Sequence, residues 1–260
     1  MTQVNAIRIE GVCKRFDGIA RPALDDIELS VGAREFIVVV GASGSGKTTL
    51  LQLINRLSEP TAGRITIGGI DATALDPIEL RRRTGYVFQE VGLFPHMSVA
   101  ENIAITPKLL GWEKRRIDAR VNELLGLVRL GADYGPRFPS QLSGGERQRV
   151  GVARALAAEP EVVLMDEPFS ALDPLTRDAL AQDYRRLHDT LQLTSMMITH
   201  DMLEALGVAD RIVVLQAGRI VAEGTPKALL EHEHTYVREL MQAPRKVAAR
   251  VASLLGDGVR

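Results

Sequence analysis

The stretch FIVVVGASGSGKTTL, residues 36–50, constrains this chain more than any other. Its first five residues are apolar and mostly β-branched, with no polar alternation, so they read as a strand buried on both faces. The strand runs straight into Gly41, Gly46, Lys47 and Thr48 at the spacing G-x-x-x-x-G-K-[ST], followed by helical periodicity. Glycines let a backbone curl without Cβ clashes, and a helix start offers unpaired N–H groups and the positive end of its dipole. Lys47 adds a point charge. The loop Gly41, Ala42, Ser43, Gly44, Ser45, Gly46, Lys47, Thr48, Thr49 is therefore expected to cradle the phosphates of a nucleotide, with the Thr48 hydroxyl directed to Mg²⁺.

The same architecture recurs along the chain. AIRIEGV (6–12), VVLMD (162–166), SMMIT (195–199) and RIVVL (211–215) read as further strands, while 46–57 and 176–191 show helical spacing. Strands alternating with helices indicate an α/β core with a largely parallel sheet. Between about 90 and 160 the character turns mainly helical, including 113–130, and predicts a helical subdomain inserted in that core. One ATPase-sized domain is expected over 1–243, with 244–260 a short basic, apolar tail that has no room for another domain. Lys and Arg number 32 against 33 Asp and Glu, a balance that announces neither nucleic acid nor an acidic membrane as partner. Arg81 to Arg83 read as a solvated patch, and the single cysteine, Cys13, as a small buried side chain with no disulfide to form. Without a secretion signal or a run of roughly 20 apolar residues, the chain is expected to be soluble, or peripheral through a partner.

Chemistry beyond the loop is expected at two strand ends. Asp166 ends the run VVLMD, where a strand's carboxyl edge meets the phosphates, and would hold the Mg²⁺ shell. Glu167, one residue on, could orient or deprotonate a water attacking the γ-phosphate. His200 follows SMMIT and could reach the same phosphates; Gln89, after GYVF, carries an amide suited to Mg²⁺ or the attacking water. Phe16 could stack on an adenine, although an aromatic beside a strand more often packs in a core.

A second glycine turn, LSGGE at 142–146, opens a second helix, although the first loop already provides a phosphate cradle. With it the chain resembles ATP-binding cassette ATPases over nearly its whole length. GASGSGKTT, Gln89, LSGGE, VVLMDE, SALD at 170–173 and His200 occur in the family's order, with Phe16 in the place of its adenine-stacking aromatic and Glu146 where glutamine is commoner. The resemblance implies a P-loop NTPase fold of the cassette type, with an inserted helical subdomain and an N-terminal antiparallel β region. It implies two copies packed head to tail, so that Ser143, Gly144, Gly145 and Glu146 of one close on ATP held by the other. The helix start suits this role, since Ser143 offers a hydroxyl and Gly144 and Gly145 offer backbone N–H groups. Ser143 as an ordinary helix cap is compatible with it. Catalytic roles are implied for Glu167, His200 and Gln89, metal contact for Thr48, Gln89 and Asp166, and an interface place for Asp173.

INRLSEPTAGRITIGG, GYVFQEVGLFPHMSVAENIA and LMDEPFSALDP further resemble ATPase subunits of binding-protein-dependent importers for quaternary amines such as glycine betaine and choline. That implies permease subunits as partners, a solute-binding protein acting indirectly, no nucleic acid, and a peripheral place on the cytoplasmic face of the membrane. Leu93, Phe94 and Met97 are the exposed apolar candidates to receive the permease. Several members of that group continue into a regulatory domain pair, which this chain is expected to lack. An importer for another small solute such as an amino acid, or an exporter ATPase, is the alternative. A chromosome-organising cassette would need a long coiled coil between 48 and 142, and a translation-associated one a second cassette.

Overall fold

The computed structural model describes residues 5–243 and residue 253; the tail assigned to 244–260 otherwise lies outside the described residues. Two sheets face each other across one of two apolar clusters. The larger has the order β10-β9-β3-β8-β7-β6, formed by Arg219–Gly224, Arg211–Gln216, Phe36–Val40, Thr194–Thr199, Val162–Asp166 and Thr84–Val87 respectively. Its pairings are parallel except β9 with β10. The smaller sheet is antiparallel, order β2-β1-β4-β5, from Leu24–Gly32, Asn5–Lys14, Ala62–Ile67 and Ile70–Asp71. The expected α/β core and N-terminal antiparallel region are both present.

The absence of polar alternation in β3 has a direct cause. Phe36, Val38 and Val40 enter one apolar cluster, shared with the helical segments, while Ile37 and Val39 enter the other, between the two sheets. In β8, Met197 joins the first cluster and Met196 and Ile198 the second. Helix α1, Lys47–Ile54, packs Leu50, Leu51, Leu53 and Ile54 into the second cluster, fixing the start of the helix against the sheet. Each such side chain stabilises the fold by about 2 kcal/mol on burial.

The remaining helices are α2 (Pro77–Arg83), α3 (Val99–Leu109), α4 (Lys114–Leu127), α5 (Gly144–Leu156), α6 (Pro174–Leu191), α7 (Met202–Val208) and α8 (Pro226–Leu230), with residues 235–243 also helical. On α4, Ile117, Val121, Leu124 and Leu125 form one buried face at helical spacing, packed with α3 and α5. These three helices occupy the stretch expected to be helical. No described helix is long and apolar enough to cross a membrane.

Two expectations need correction here. Cys13 is half-buried rather than enclosed, with the Asp26 amide donating to its sulfur at 3.3 Å. The 81–83 run is not merely a solvated patch: Arg81 donates to the carbonyls of Asn55 and Arg56, pinning the end of α1 to α2.

Candidate functional site

Parallel register brings the candidate residues to one edge. Val40 pairs with Thr199 and Asp166 with Ile198, so the loop after β3, the acids ending β7 and His200 after β8 all leave the sheet at its carboxyl end. Val87 pairs with Met165, which carries Gln89 past the same edge, exposed.

The loop is shaped for close approach. A Cβ at Gly41 would overlap the Leu215 carbonyl, and Gly46, which precedes α1, has φ 106° and would set a Cβ 2.5 Å from the Ala23 carbonyl. Lys47 is buried, its Nζ donating to the carbonyls of Gly41 at 2.9 Å and Ala42 at 3.0 Å, so the ammonium braces the loop from within. Burial lowers its pKa, while the charges of Glu167 and Asp166 act in the opposite direction. Ser45 Oγ is buried and has no hydrogen-bond partner among the described residues. The Ala42 amide is taken by Tyr236 Oη at 3.0 Å, a contact from the helix at 235–243 that has no signature in sequence.

Thr48 Oγ1 donates to Asp166 Oδ1 at 3.3 Å. Burial raises the pKa of Asp166, the Thr48 bond opposes this, Glu167 adds to it and Lys47 opposes it. A hydroxyl and a carboxylate are hard oxygen donors of the kind Mg²⁺ takes together with phosphate and water. Among the described residues no cluster of three or more His, Cys, Asp or Glu could hold a metal unaided. The donor set therefore fits a cation that arrives with its phosphates.

Glu167 adopts φ 44°, a left-handed conformation costly for a residue with a Cβ. Its amide donates to the Ile198 carbonyl at 3.0 Å and its own carbonyl accepts from Ser170, so neighbouring strands and turn hold it there. Its Oε2 lies 2.8 Å from His200 Nδ1. Phe16 is 39% exposed, outside either core, with Lys14 Nζ 5.0 Å from its ring centroid. A free aromatic face is what stacking requires.

The second glycine turn belongs to a different surface. Ser143 caps α5: its Oγ accepts from the Glu146 amide at 3.3 Å, and Glu146 Oε2 accepts from the Ser143 amide at 2.7 Å. Glu146 Oε1 accepts from Tyr134 Oη at 2.6 Å, so both its oxygens are engaged within the turn, and its pKa is lowered, chiefly by the Tyr134 bond. Gly145 packs on α6, where a Cβ would lie 2.9 Å from Thr176 Cγ2. No hydrogen bond among the described residues joins 143–146 to 41–49. Asp173 likewise caps its own helix, accepting from the Thr176 amide at 3.1 Å.

Of the three apolar candidates after Gln89, Phe94 is exposed, but Leu93 and Met97 are half-buried and Leu93 packs against the core. Asn102, fully buried, organises this loop. Its Oδ1 accepts from the Phe94 amide at 2.8 Å, and its Nδ2 donates to the carbonyls of Phe94, Met97 and Ser98 at 3.2, 3.0 and 3.0 Å. Arg154 of α5 holds the preceding residues through the carbonyls of Val91 and Gly92. An asparagine inside an otherwise apolar helical face was the available signal for the first; the second has none.

Comparison with known proteins shows what the chain is similar to. The sequence profile of the ABC transporter family matches residues 24–170. The glycine betaine/carnitine/choline transport ATP-binding protein OpuCA of Bacillus subtilis is 48% identical over 245 residues, covering 94% of this chain; the chain spans 64% of that protein's length. The glycine betaine uptake system ATP-binding protein YehX of Escherichia coli is 50% identical over 93% of this chain and 79% of its own. A dimeric structure of the ATP-binding cassette MJ0796, bound to ADP and Pi, superposes with a TM-score of 0.75 at 32% identity, covering 84% of this chain and 98% of that one. With this match over more than half of its length and relatives of this identity, the chain belongs to the ABC transporter family.

Proposed function

We propose that this chain is the ATP-hydrolysing subunit of a binding-protein-dependent importer for a small quaternary amine such as glycine betaine or choline. ATP binding follows from family membership. The observation that carries the hydrolytic reading is Glu167, held by His200 and set one residue beyond the Thr48–Asp166 pair. In this reading the loop 41–49, with Lys47, binds the phosphates, and Thr48, Asp166 and Gln89 would hold Mg²⁺. Mg²⁺, when bound, supplies positive charge to the phosphate oxygens. Glu167 orients the attacking water and accepts its proton at a carboxylate oxygen, while His200 fixes that carboxylate through Nδ1 and keeps Nε2 for the γ-phosphate. Phe16 stacks on the adenine.

Residues 1–243 act as one ATPase domain with the helical subdomain at about 90–160, and two copies pack head to tail. Ser143 keeps its hydroxyl hydrogen for a phosphate oxygen, and the amides of Gly144 and Gly145, at the helix start, have no partner among the described residues; both act on ATP of the other copy. The engaged carboxylate of Glu146 supports a role in shaping the turn rather than in touching phosphate. Phe94, exposed on a loop clamped by Asn102, meets the permease, which places the subunit peripherally at the cytoplasmic face of the membrane. The import direction and the solute class are supported by the names of the relatives, one of them an uptake system for glycine betaine.

The test is ATPase activity of the purified complex of this chain with its permease. Stimulation by a binding protein loaded with glycine betaine or choline is expected. Stimulation only by another loaded solute would replace the solute, and no stimulation by any would remove the importer reading.

A further inference from the structure

Resting on the hydrolytic reading above, a closed ring of contacts runs through Glu167 and His200. Glu167 Oε2 meets His200 Nδ1 at 2.8 Å. The Glu167 carbonyl accepts from the Ser170 amide at 3.3 Å and from Ser170 Oγ at 3.0 Å. The Ser170 carbonyl accepts from Arg177 Nη2 at 3.2 Å, and the same nitrogen donates to the Leu172 carbonyl at 3.0 Å. Arg177 Nη1 pairs with Asp201 Oδ2 at 2.9 Å, and Asp201 follows His200 in the chain, which closes the ring. Among the described residues no second cation pairs with Asp201.

Each other link is anchored elsewhere. Asp201 donates its amide to Thr199 Oγ1 at 3.0 Å and accepts with Oδ1 from the amides of Leu203 and Glu204, so it moves only with β8 and α7. Glu167 is tied to β8 through Ile198. Among the described residues Arg177, in the first turn of α6, is the one side chain hydrogen-bonded to both the turn at 170–172 and Asp201. Its planar fork reaches three acceptors from two rigidly spaced nitrogens, where a lysine offers a single one. The His200 side chain is itself 59% exposed, so its direction is set through its neighbours rather than by packing.

We propose that Arg177 is a positioning residue for hydrolysis: it fastens the 170–172 turn to Asp201 and thereby holds the His200 imidazole on the Glu167 carboxylate. Its place also makes it the path by which displacement of the 170–173 turn, next to the second glycine turn at Gly144 and Leu172, reaches His200.

The experiment uses full-length protein and two variants. Arg177→Met keeps the aliphatic stem and removes all three bonds. Asp201→Asn keeps an oxygen for both α7 amides and removes the charge partner of Nη1, and it carries the test alone if Arg177→Met does not fold. The readouts are the ¹⁵N resonances of the His200 ring without nucleotide, assigned by their loss in His200→Gln, together with ATPase kinetics. A changed His200 Nδ1 resonance in both variants is expected, with kcat falling on the order of tenfold and KM for ATP within about twofold of wild type. His200 resonances at their wild-type positions in the variants would overturn the proposal, as would loss of kcat matched by loss of ATP affinity. Wild-type protein that hydrolyses no ATP would instead contradict the hydrolytic reading, and the imidazole resonances would still decide whether Arg177 positions His200.

Discussion

His200 Nδ1 and Glu167 Oε2 lie 2.8 Å apart across the carboxyl ends of β7 and β8. The two residues are 33 positions apart in the chain, and the parallel pairing of Asp166 with Ile198 brings them together. A carboxylate fixed by an imidazole and by its own strained backbone keeps one orientation toward whatever lies above Thr48.

Glu167→Gln tests the carboxylate itself. The amide keeps a hydrogen-bond acceptor for His200 and the size of the side chain, but it cannot accept a proton. ATP binding should stay near wild type while hydrolysis drops on the order of 10²- to 10⁴-fold. Near-normal turnover by purified variant protein would remove Glu167 from the mechanism.

Glu204 gives a pH dependence with a defined sign. It is buried in the first turn of α7, its Oε1 has no partner among the described residues, and burial first of all pushes its pKa up to about 7. The Thr199 bond and the charges of Arg177 and His200 oppose the rise, and Asp201 adds to it. The folded state thus holds the proton more tightly than the unfolded chain, so this group's contribution is fully present below the unfolded carboxyl pKa and is lost as pH rises through about 7. Between pH 5 and 8 wild type should lose about 2 kcal/mol that Glu204→Gln does not lose. Urea unfolding at the two pH values measures the difference; parallel pH dependences of the two proteins would show that Glu204 is ionised in the fold.

Asn102 and Phe94 should separate stability from docking. Asn102→Ala leaves the Phe94 amide and three carbonyls without their partner and should cost about 2 kcal/mol or more of stability. Phe94→Ala removes an exposed ring and should change stability by less than about 0.5 kcal/mol. It should nevertheless weaken attachment to the membrane subunits by about 2 kcal/mol. Denaturant melts of the isolated chain and co-purification with the permease supply the two measurements, and unchanged co-purification would exclude Phe94 from the contact.

What could be read from the sequence was whatever is contiguous. The loop 41–49, the Asp166–Glu167 pair and the Ser143 cap each lie within a few residues, so local spacing carries them. The buried strand β3 was legible because two apolar clusters, one on each face, leave no position for a polar side chain. Contacts that close over long chain separations were not. Tyr236 reaches Ala42 across 194 residues, and Arg177 reaches Asp201 across 24. Exposure was misread where a single loop mixes environments: Phe94 faces outward while Leu93, beside it, turns to the core. The antiparallel sheet came from family resemblance, since its strands carry bulges and mixed burial that blur period-two spacing.

If the turn at Ser143 serves a phosphate loop in another copy, two variants defective in different halves of the shared site should complement on mixing. Lys47→Ala damages the loop, and Ser143→Arg blocks the turn. Any dimer of one variant alone would carry two defective shared sites. A mixed dimer joins the intact loop of one variant to the intact turn of the other at one of its two sites. In a Glu167→Gln background, where hydrolysis does not dissolve the complex, sedimentation should show ATP-dependent dimers in the mixture and none in either variant alone. A mixture that forms no more dimer than its parents would contradict the shared site.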